Sequence, residues 1–212
     1  MLSLIAGASF LGMWHLLNTR LSRLEVDYSH AERRLHMRAA HDELTGLLNR
    51  RSFNDRATAM IERANASGVG LTVITMLDLD NFKDVNDTLG HNLGDELLAG
   101  VSKLLKSVVG PEDILVRHGG DEFVIVLPGV DAEGASAFAE KLRAHLDRPI
   151  RLGETLAPVS LSIGVSLYPQ DGPDSDTLLT NADFAMYGAK RAGRSTHRRF
   201  DPSMRSDVEA RV

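Results

Sequence analysis

The sequence predicts an α/β sandwich of the α+β type, with an antiparallel hairpin at the centre of its sheet and a long helix before it. From about His41 onward, segments alternate as helix, strand, helix, hairpin, helix, strand and helix. Two apolar runs, Ile114–Val116 and Phe123–Leu127, flank Gly119-Gly120, a pair suited to a tight turn with positive φ. Because Phe123–Leu127 is apolar on both faces, we expect it in the middle of the sheet. A hairpin in that place excludes a doubly wound parallel sheet.

The individual elements follow from periodicity. Apolar residues at helical spacing predict a helix over Phe53–Ala64 that ends near Gly68, and another over Leu93–Val108 that ends at Gly110 and Pro111. The remaining elements are predicted as a strand at Leu71–Leu79, helices at Ala132–Leu146 and Asp176–Ala192, a strand at Val159–Leu167, and a short edge strand at His197–Phe200.

Composition excludes several classes of function. The 212 residues include 24 Lys and Arg against 29 Asp and Glu, which gives a formal net charge of −5. A general nucleic-acid binder is usually basic, so nucleic acid is not expected as a partner. The chain has no cysteine, which excludes disulfides, thiolate metal sites and cysteine nucleophiles. Any metal must therefore be held by oxygen or imidazole.

Residues 1–19 differ from the rest of the chain because they carry no formal charge and are mostly apolar. A helix of that length rises about 28 Å, close to the hydrocarbon thickness of a bilayer. Trp14 and the arginines that follow favour a membrane anchor, with the remaining chain in the cytoplasm. Polar residues such as His15 dilute the pattern. An amphipathic or partner-buried helix, in a soluble cytoplasmic protein, is the alternative.

Residues 20–40 are predicted to form a helical, coiled-coil-like linker. Apolar residues there follow a 4-3-4-3-4 spacing, and charged residues occupy most of the intervening positions. The stripe begins just before this segment, at Leu17, and continues with Leu21, Leu24, Tyr28, Ala31 and Leu35. Fewer than three heptads are present, so a single amphipathic helix packed on its own domain is an open alternative.

Carboxylates are concentrated where predicted strands begin or end. Asp78 and Asp80 end an apolar strand, and their spacing places both on one face. Asp121 and Glu122 follow the glycine turn of the hairpin. Carboxylates beside a buried hairpin are costly unless a positive group meets them, and neither stretch contains a lysine. The pattern indicates a hard divalent cation such as Mg²⁺, which is bound by one or two carboxylates, water and substrate phosphates.

A phosphate-bearing substrate needs cations and polarised N–H groups. Neither GxxxxGK nor a GxGxxG after a strand is present. The backbone amides of the turn after Asp80 and the side chain of Lys83 are candidates, as is the cationic helix end at Lys190–Arg194. That helix end could equally be a solvated, dipole-compensating terminus. Asn86 and Asp95 together present donors and acceptors for a guanine edge, although each alone is typical of a cap or turn.

Five segments occur in an order that is characteristic of one protein family: Asp42–Arg50, Asp78–Asp87, Gly90–Asp95, Gly119–Phe123 and Ala182–Arg194. Together they resemble the GGDEF family of bacterial diguanylate cyclases, and the likeness covers about residues 42–200. The resemblance implies a GGDEF catalytic domain over residues 41–200, followed by a C-terminal tail over residues 201–212.

The resemblance also implies roles for individual residues. Asp78, the backbone carbonyl of Leu79, and Asp121 match the ligands of Mg²⁺, for which Mn²⁺ is an alternative. Asp121 is expected to help remove a proton during catalysis, with Glu122 as a further acidic group beside it. The residues expected around the substrate are Asn86 and Asp95 at guanine, His91 near it, Phe82 and Lys83 at the terminal phosphates, Lys190 and Arg194 at the phosphates, and Gly119 and Gly120 of the signature turn.

Members of this family condense two GTP molecules into cyclic di-GMP with release of two pyrophosphates. Each active site is a half-site, so a homodimer is expected, formed by apposed domains and assisted by the N-terminal helix. Many cyclases carry a product-inhibition motif Arg-x-x-Asp before the signature. Here Asp113 is present but Gly110 occupies the arginine position, so weak or absent inhibition is expected. A second departure is Ser195, where Asn is common. The alternative function is a catalytically silent GGDEF module that binds GTP or a protein partner.

Overall fold

The computed structural model describes residues 40–68, 72–146 and 148–209. The predicted membrane segment and nearly all of the predicted linker helix lie outside these residues. None of the helices formed by the described residues is long and apolar enough to span a bilayer. The elements in chain order are β1 (Leu48–Asn49), α1 (Arg50–Ser67), β2 (Thr72–Leu79), α2 (Phe82–Leu89), α3 (His91–Val108), β3 (Ile114–Gly119), β4 (Glu122–Pro128), α4 (Ala132–Leu146), β5 (Ile150–Leu152), β6 (Thr155–Ala157), β7 (Leu161–Tyr168), α5 (Ser175–Arg191), β8 (His197–Arg199) and α6 (Ser203–Glu209).

The main sheet has six strands in the order β1-β3-β4-β2-β7-β8. Strands β3, β4, β2 and β7 pair antiparallel, whereas β1 and β8 add in parallel at the two edges. The predicted hairpin β3–β4 is confirmed, and β4 is one of the two central strands, as its apolar character on both faces indicated. The predicted edge strand at His197 is confirmed as β8.

Helices cover both faces of this sheet. All eight residues of β2 are buried, and successive side chains point to opposite faces. Ile74 and Met76 pack in a core with residues of α1 and α5, whereas Val73 and Leu77 pack in a second core with α3 and α4. The arrangement is the predicted α/β sandwich with a mixed rather than a doubly wound sheet.

The close packing of α5 on β7 depends on a glycine. A Cβ atom placed on Gly164 would overlap with the backbone of Ala182 and Met186. The helix is capped at its N-terminus by Asp174, whose side chain accepts a hydrogen bond from Thr177 N at 2.8 Å. These contacts fix where the C-terminal end of α5, with Lys190, lies relative to the strands.

Several short elements were not predicted. Residues after Asp80 were expected as a turn, but they begin helix α2, which buries none of its residues and so has no apolar stripe. Strands β5 and β6 form a separate two-stranded sheet of three residues each, too short for a periodic signal. The expected C-terminal tail contains helix α6.

Candidate functional site

The two predicted carboxylate groups meet at one end of the central strand pair. Asp78 at the end of β2 is the register partner of Glu122 at the start of β4. The backbone N–H of Leu79 donates to the carbonyl of Asp121 at 3.3 Å. The antiparallel pairing therefore brings together two acidic segments that are more than forty residues apart in the sequence.

Lys190 on α5 provides a cation at this position. Its Nζ lies 2.7 Å from Asp78 Oδ2, and the Asp78 side chain is only 9% exposed. The lysine side chain is 30% exposed, so its ammonium lies between the carboxylates and the solvent. A contact this short to a nearly buried carboxylate is a charge-assisted hydrogen bond.

The site carries more negative charge than this one lysine neutralises. Burial raises the pKa of Asp78, and the neighbouring Asp121 and Asp80 raise it further, although Lys190 opposes them. Burial, together with Asp183, Asp78 and Asp121, also raises the pKa of Glu122. The ionised carboxylates repel one another, so a second positive charge would be bound favourably here.

The donor set is compatible with Mg²⁺. Within the described residues, no three His, Asp or Glu side chains are arranged as a ready-made metal cluster. Mg²⁺ needs only one or two protein carboxylates, because water and substrate phosphates complete its shell. Asp78 and Asp121 supply two hard oxygen donors in a crowded acidic environment, which fits that requirement.

A cleft of about 330 Å³ opens beside the carboxylates. It collects most of the side chains predicted for metal and phosphate binding. Its lining consists of Asp78, Leu79, Asp80, Asn81, Phe82, Lys83, Asp84, Asp121, Lys190 and Arg194. A groove of about 610 Å³ elsewhere, bounded by the loop after β7, contains none of these residues. The candidate site is therefore identified by the types of side chain that line it and not by the volume of the cleft.

The turn after β2 is the start of helix α2. Asn81 has a left-handed backbone with φ of 60°, and its carbonyl accepts from the amides of Asp84 and Val85. Lys83 lies in the first turn of α2 and is exposed. An N-terminal helix end beside a lysine is a favourable place for phosphate oxygens.

Asp80 has a different environment from Asp78, although both were predicted on one face. Its Oδ1 accepts from Ser162 Oγ at 2.6 Å, and its Oδ2 accepts from Ser160 Oγ at 2.9 Å and from the backbone N–H of Ser195 at 3.0 Å. Both oxygens are thus engaged by β7 and by the turn after α5. Sequence reasoning missed this role because the three donors are distant in the chain.

The predicted guanine residues lie at the junction of α2 and α3. Asn86 packs directly on Gly94, since a Cβ atom on that glycine would overlap with Asn86 Oδ1. The same atom would lie 3.4 Å from Phe82 Cζ. Asp95 follows on α3 and is exposed, and His91 is exposed at the first residue of α3. Asn86, His91 and Asp95 do not line the 330 Å³ cleft.

Gly94 was part of a recognised motif, but no role was predicted for it. A glycine inside an amphipathic helix is a detectable signal, because it costs helix stability unless close packing requires it.

The glycine turn is held by an arginine that the sequence analysis did not single out. Arg117 donates from Nε and Nη2 to the carbonyl of Gly120 at 3.0 and 2.8 Å. Its Nη1 lies 3.0 Å from Asp42 Oδ1 and 3.1 Å from Oδ2. Gly119 and Gly120 lie outside the lining of the cleft, and their turn is tied through Arg117 to the start of the domain.

Asp42 is well suited to this pairing. It accepts from the backbone N–H of Thr45 at 2.9 Å and from its hydroxyl at 2.7 Å. Burial alone would raise the pKa of Asp42, but the bonds from Thr45 and the guanidinium of Arg117 outweigh it and hold the pKa below its usual range.

The chain is similar to known proteins of one family. Residues 39–196 match the family model described as "Diguanylate cyclase, GGDEF domain". The bifunctional diguanylate cyclase/cyclic di-GMP phosphodiesterase MucR of Pseudomonas aeruginosa is 38% identical over 196 residues, which cover 92% of this chain and 28% of MucR. The chain spans between 22% and 28% of the length of several such curated relatives.

Solved structures have the same fold. The GGDEF domain of TpbB from Pseudomonas aeruginosa has a TM-score of 0.77 and 34% identity, with 80% of this chain and 99% of that chain covered. The coiled coil and GGDEF domain of DgcB from Caulobacter crescentus, solved with c-di-GMP, has a TM-score of 0.76 and 27% identity, covering 86% of this chain and 98% of that one.

Proposed function

Because the chain belongs to the GGDEF domain family of diguanylate cyclases, we propose that it condenses two GTP molecules into cyclic di-GMP with release of two pyrophosphates. One observation carries the proposal: Asp78 and Asp121 line the same cleft as Lys83, Lys190 and Arg194. Carboxylate oxygens that can bind a metal cation therefore lie beside three cationic side chains that can bind phosphates. Residues 41–200 form the proposed catalytic domain.

In this proposal the two ends of GTP are bound by different elements. Asn86 and Asp95, at the junction of α2 and α3, offer an amide and a carboxylate to the guanine edge. Lys83 and the first turn of α2 bind the terminal phosphates. Lys190, on α5, and Arg194, in the turn after α5, bind phosphate oxygens. Phe82 lines the phosphate cleft, with its ring close to Gly94, and exposed His91 is proposed to border the guanine.

The reaction forms a bond between the 3′-oxygen of one GTP and the α-phosphorus of the other. The bond between that phosphorus and the bridging oxygen of the leaving pyrophosphate breaks. Asp121 accepts the hydroxyl proton, and Lys190 and Arg194 neutralise charge that accumulates on the phosphates. Glu122, with its raised pKa, is a further acidic group beside Asp121. A second round of the same reaction closes the ring.

Asp78, the carbonyl of Leu79, and Asp121 would hold Mg²⁺, or Mn²⁺ in its place. A bound divalent ion supplies Lewis acidity, which lowers the pKa of the attacking hydroxyl and offsets charge on the pyrophosphate.

One domain binds one GTP in this scheme, so two copies must face each other. We propose a homodimer in which the domains are apposed, with the predicted linker helix over residues 20–40 as the dimer element. Residues 1–19 would attach the protein to the bacterial inner membrane. Sedimentation of the full chain against a chain that begins at Ala40 tests the linker. Equal dimer affinity of the two would assign dimerisation to the domain alone.

Product inhibition is proposed to be weak. The amide of Gly110 donates to Asp113 Oδ2 at 2.6 Å, so this carboxylate is engaged within its own turn. Without an arginine at position 110, no guanidinium is supplied for bidentate contacts to guanine or phosphate. Tight binding of cyclic di-GMP by the nucleotide-free protein at this turn would contradict the proposal.

The decisive experiment incubates purified protein with GTP and Mg²⁺ over a range of protein concentrations and resolves the nucleotides by chromatography. Cyclic di-GMP and pyrophosphate should appear with a specific activity that rises with protein concentration, because dimers are required. Intact GTP, from folded protein that binds GTP, would instead identify a silent GTP-binding module.

A further inference from the structure

Asp80 connects three separate parts of the chain. Ser160 and Ser162 come from the segment entering β7 and from β7 itself, whereas Ser195 belongs to the turn between α5 and β8. The backbone N–H of Asp80 also donates to the carbonyl of Ser160 at 3.0 Å. The two serines orient the carboxylate, so Oδ2 is directed at the amide of Ser195.

The turn that contains Ser195 has an unusual backbone. Arg194 and Ser195 have φ of 62° and 47°, and they follow Gly193 with φ of 116°. Two consecutive non-glycine residues in the left-handed region are unfavourable unless the surrounding structure holds them. On the helix side, the amide of Arg194 bonds to the carbonyl of Ala189 at 3.2 Å. Beyond Arg194, the Ser195 amide donates to Asp80, and the carbonyl of Thr196 accepts from the amide of Ile163 at 3.0 Å. The Asp80 bond is therefore the one nearest to Arg194 on this side of the turn.

Arg194 lines the cleft from this turn and is exposed, so its place depends on the backbone that carries it. Ser195, the residue directly after Arg194, donates its backbone N–H to Asp80 Oδ2 at 3.0 Å. A charged acceptor makes this bond stronger than a neutral one.

We propose that Asp80 is a positioning residue: through the Ser195 amide it holds the left-handed turn that places Arg194 in the phosphate cleft. Asp80 itself does not contact the substrate. The proposal rests on the proposed function, in which Arg194 binds phosphate. It gives different roles to the two aspartates at the end of β2: Asp78 contacts Lys190 at the proposed cation site, whereas Asp80 supports the turn that carries Arg194.

The test uses the full chain with Mg²⁺ and two probes, guanosine, which has no phosphate, and a GTP analogue with a methylene bridge between the α- and β-phosphates. The bridge prevents loss of pyrophosphate, so binding is measured without turnover. Asp80→Asn keeps the shape but weakens the acceptor, and we expect the analogue to bind about tenfold more weakly, with guanosine affinity unchanged. Asp87→Asn, an exposed carboxylate on α2, is the matched control and should change neither affinity.

A double-mutant cycle tests the route through Arg194. Arg194→Ala should weaken binding of the analogue, and Asp80→Asn should add little in that background, because coupled residues are non-additive. Ser162→Ala removes one hydroxyl that orients the carboxylate, and it should weaken analogue binding by about threefold. If Asp80→Asn does not fold, Ser162→Ala still tests whether the Asp80 carboxylate positions Arg194.

Four results would overturn the inference. An equal loss of guanosine and analogue affinity would show general damage, and multiplicative effects in the cycle would show that Asp80 acts independently of Arg194. Unchanged analogue binding in both Asp80→Asn and Ser162→Ala, with Arg194→Ala still impaired, would refute the inference and leave the proposed function intact. Failure of the unaltered protein to bind the analogue would refute the proposed function as well.

Discussion

The ammonium of Lys190 lies 2.7 Å from Asp78 Oδ2, which joins the last turn of α5 to the end of the central strand β2. The contact connects two motifs that are more than a hundred residues apart. Lys190 is expected to bind phosphate, and Asp78 is expected to bind the metal ion. Their contact therefore brings the predicted phosphate site and the predicted metal site together.

Replacing Lys190 with Met should destabilise the metal-free protein by about 1–3 kcal/mol, because Asp78 would keep a nearly buried charge without its partner. Added Mg²⁺ should raise the Tm of this variant more than that of the unaltered protein, since the ion supplies the missing positive charge. Thermal unfolding with and without Mg²⁺ measures both effects. An equal response of the two proteins to Mg²⁺ would place the ion away from Asp78.

Asp121→Ala should reduce turnover by about three or more orders of magnitude, because it removes both the proposed proton acceptor and a proposed metal donor. The fold should persist, as measured by circular dichroism and Tm. Glu112→Ala, which removes an exposed carboxylate elsewhere, is the control and should keep full activity. Wild-type rates in Asp121→Ala would show that this carboxylate is not used in the reaction.

Gly94→Ala should raise the KM for GTP by about tenfold or more, because its methyl group would displace Asn86 from the proposed guanine site. Substitution of Asn86 itself should produce a similar effect, and the two changes together should be less than additive. Gly188→Ala is the control, since its Cβ would meet only ordinary contacts, at 3.5 Å to Arg198 and 3.8 Å to Met204. A normal KM in Gly94→Ala would remove Asn86 from base recognition.

Glu122→Gln should stabilise the metal-free protein at neutral pH. The pKa of Glu122 is raised above its ordinary value of 4.5, so the folded state binds the proton more tightly than the unfolded state. The resulting destabilisation is absent below pH 4.5 and grows as pH rises through the raised pKa. At pH 7 the substitution should therefore increase Tm by about 2–4 °C, and the gain should vanish in acid. A constant difference in Tm at every pH would exclude this electrostatic origin.

Asp42→Asn should have the opposite pH dependence. The pKa of Asp42 is depressed below its ordinary value of 3.8, so its stabilising effect is complete above that pH and is lost as pH falls through the folded-state value. At neutral pH the variant should lose about 1–3 kcal/mol in the free energy of unfolding, measured by urea titration. The deficit should shrink in acid. Arg117→Lys should lose a similar amount, because lysine cannot bond to Asp42 and Gly120 together.

Much of the fold could be predicted because its strongest signals are local. The continuous apolar character of Phe123–Leu127 arises from burial on both faces, and the periodicity of Leu93–Val108 arises from one buried helix face. Helix α2 and strands β5 and β6 could not be predicted in the same way. They are short, and α2 buries none of its residues, so their patterns carry little information.

The candidate site, like the fold, could be predicted only in part. The sequence by itself determined which chemistry is present: acidic strand ends, a cationic helix end, and the motifs of the family. Only the tertiary structure decided which groups meet. It separated Asp78 from Asp80, packed Asn86 on Gly94, and joined Asp42 to the glycine turn through Arg117. Hydrogen bonds and close contacts depend on distances of a few ångströms between residues remote in the chain, and those distances are set by strand register and helix packing rather than by local sequence.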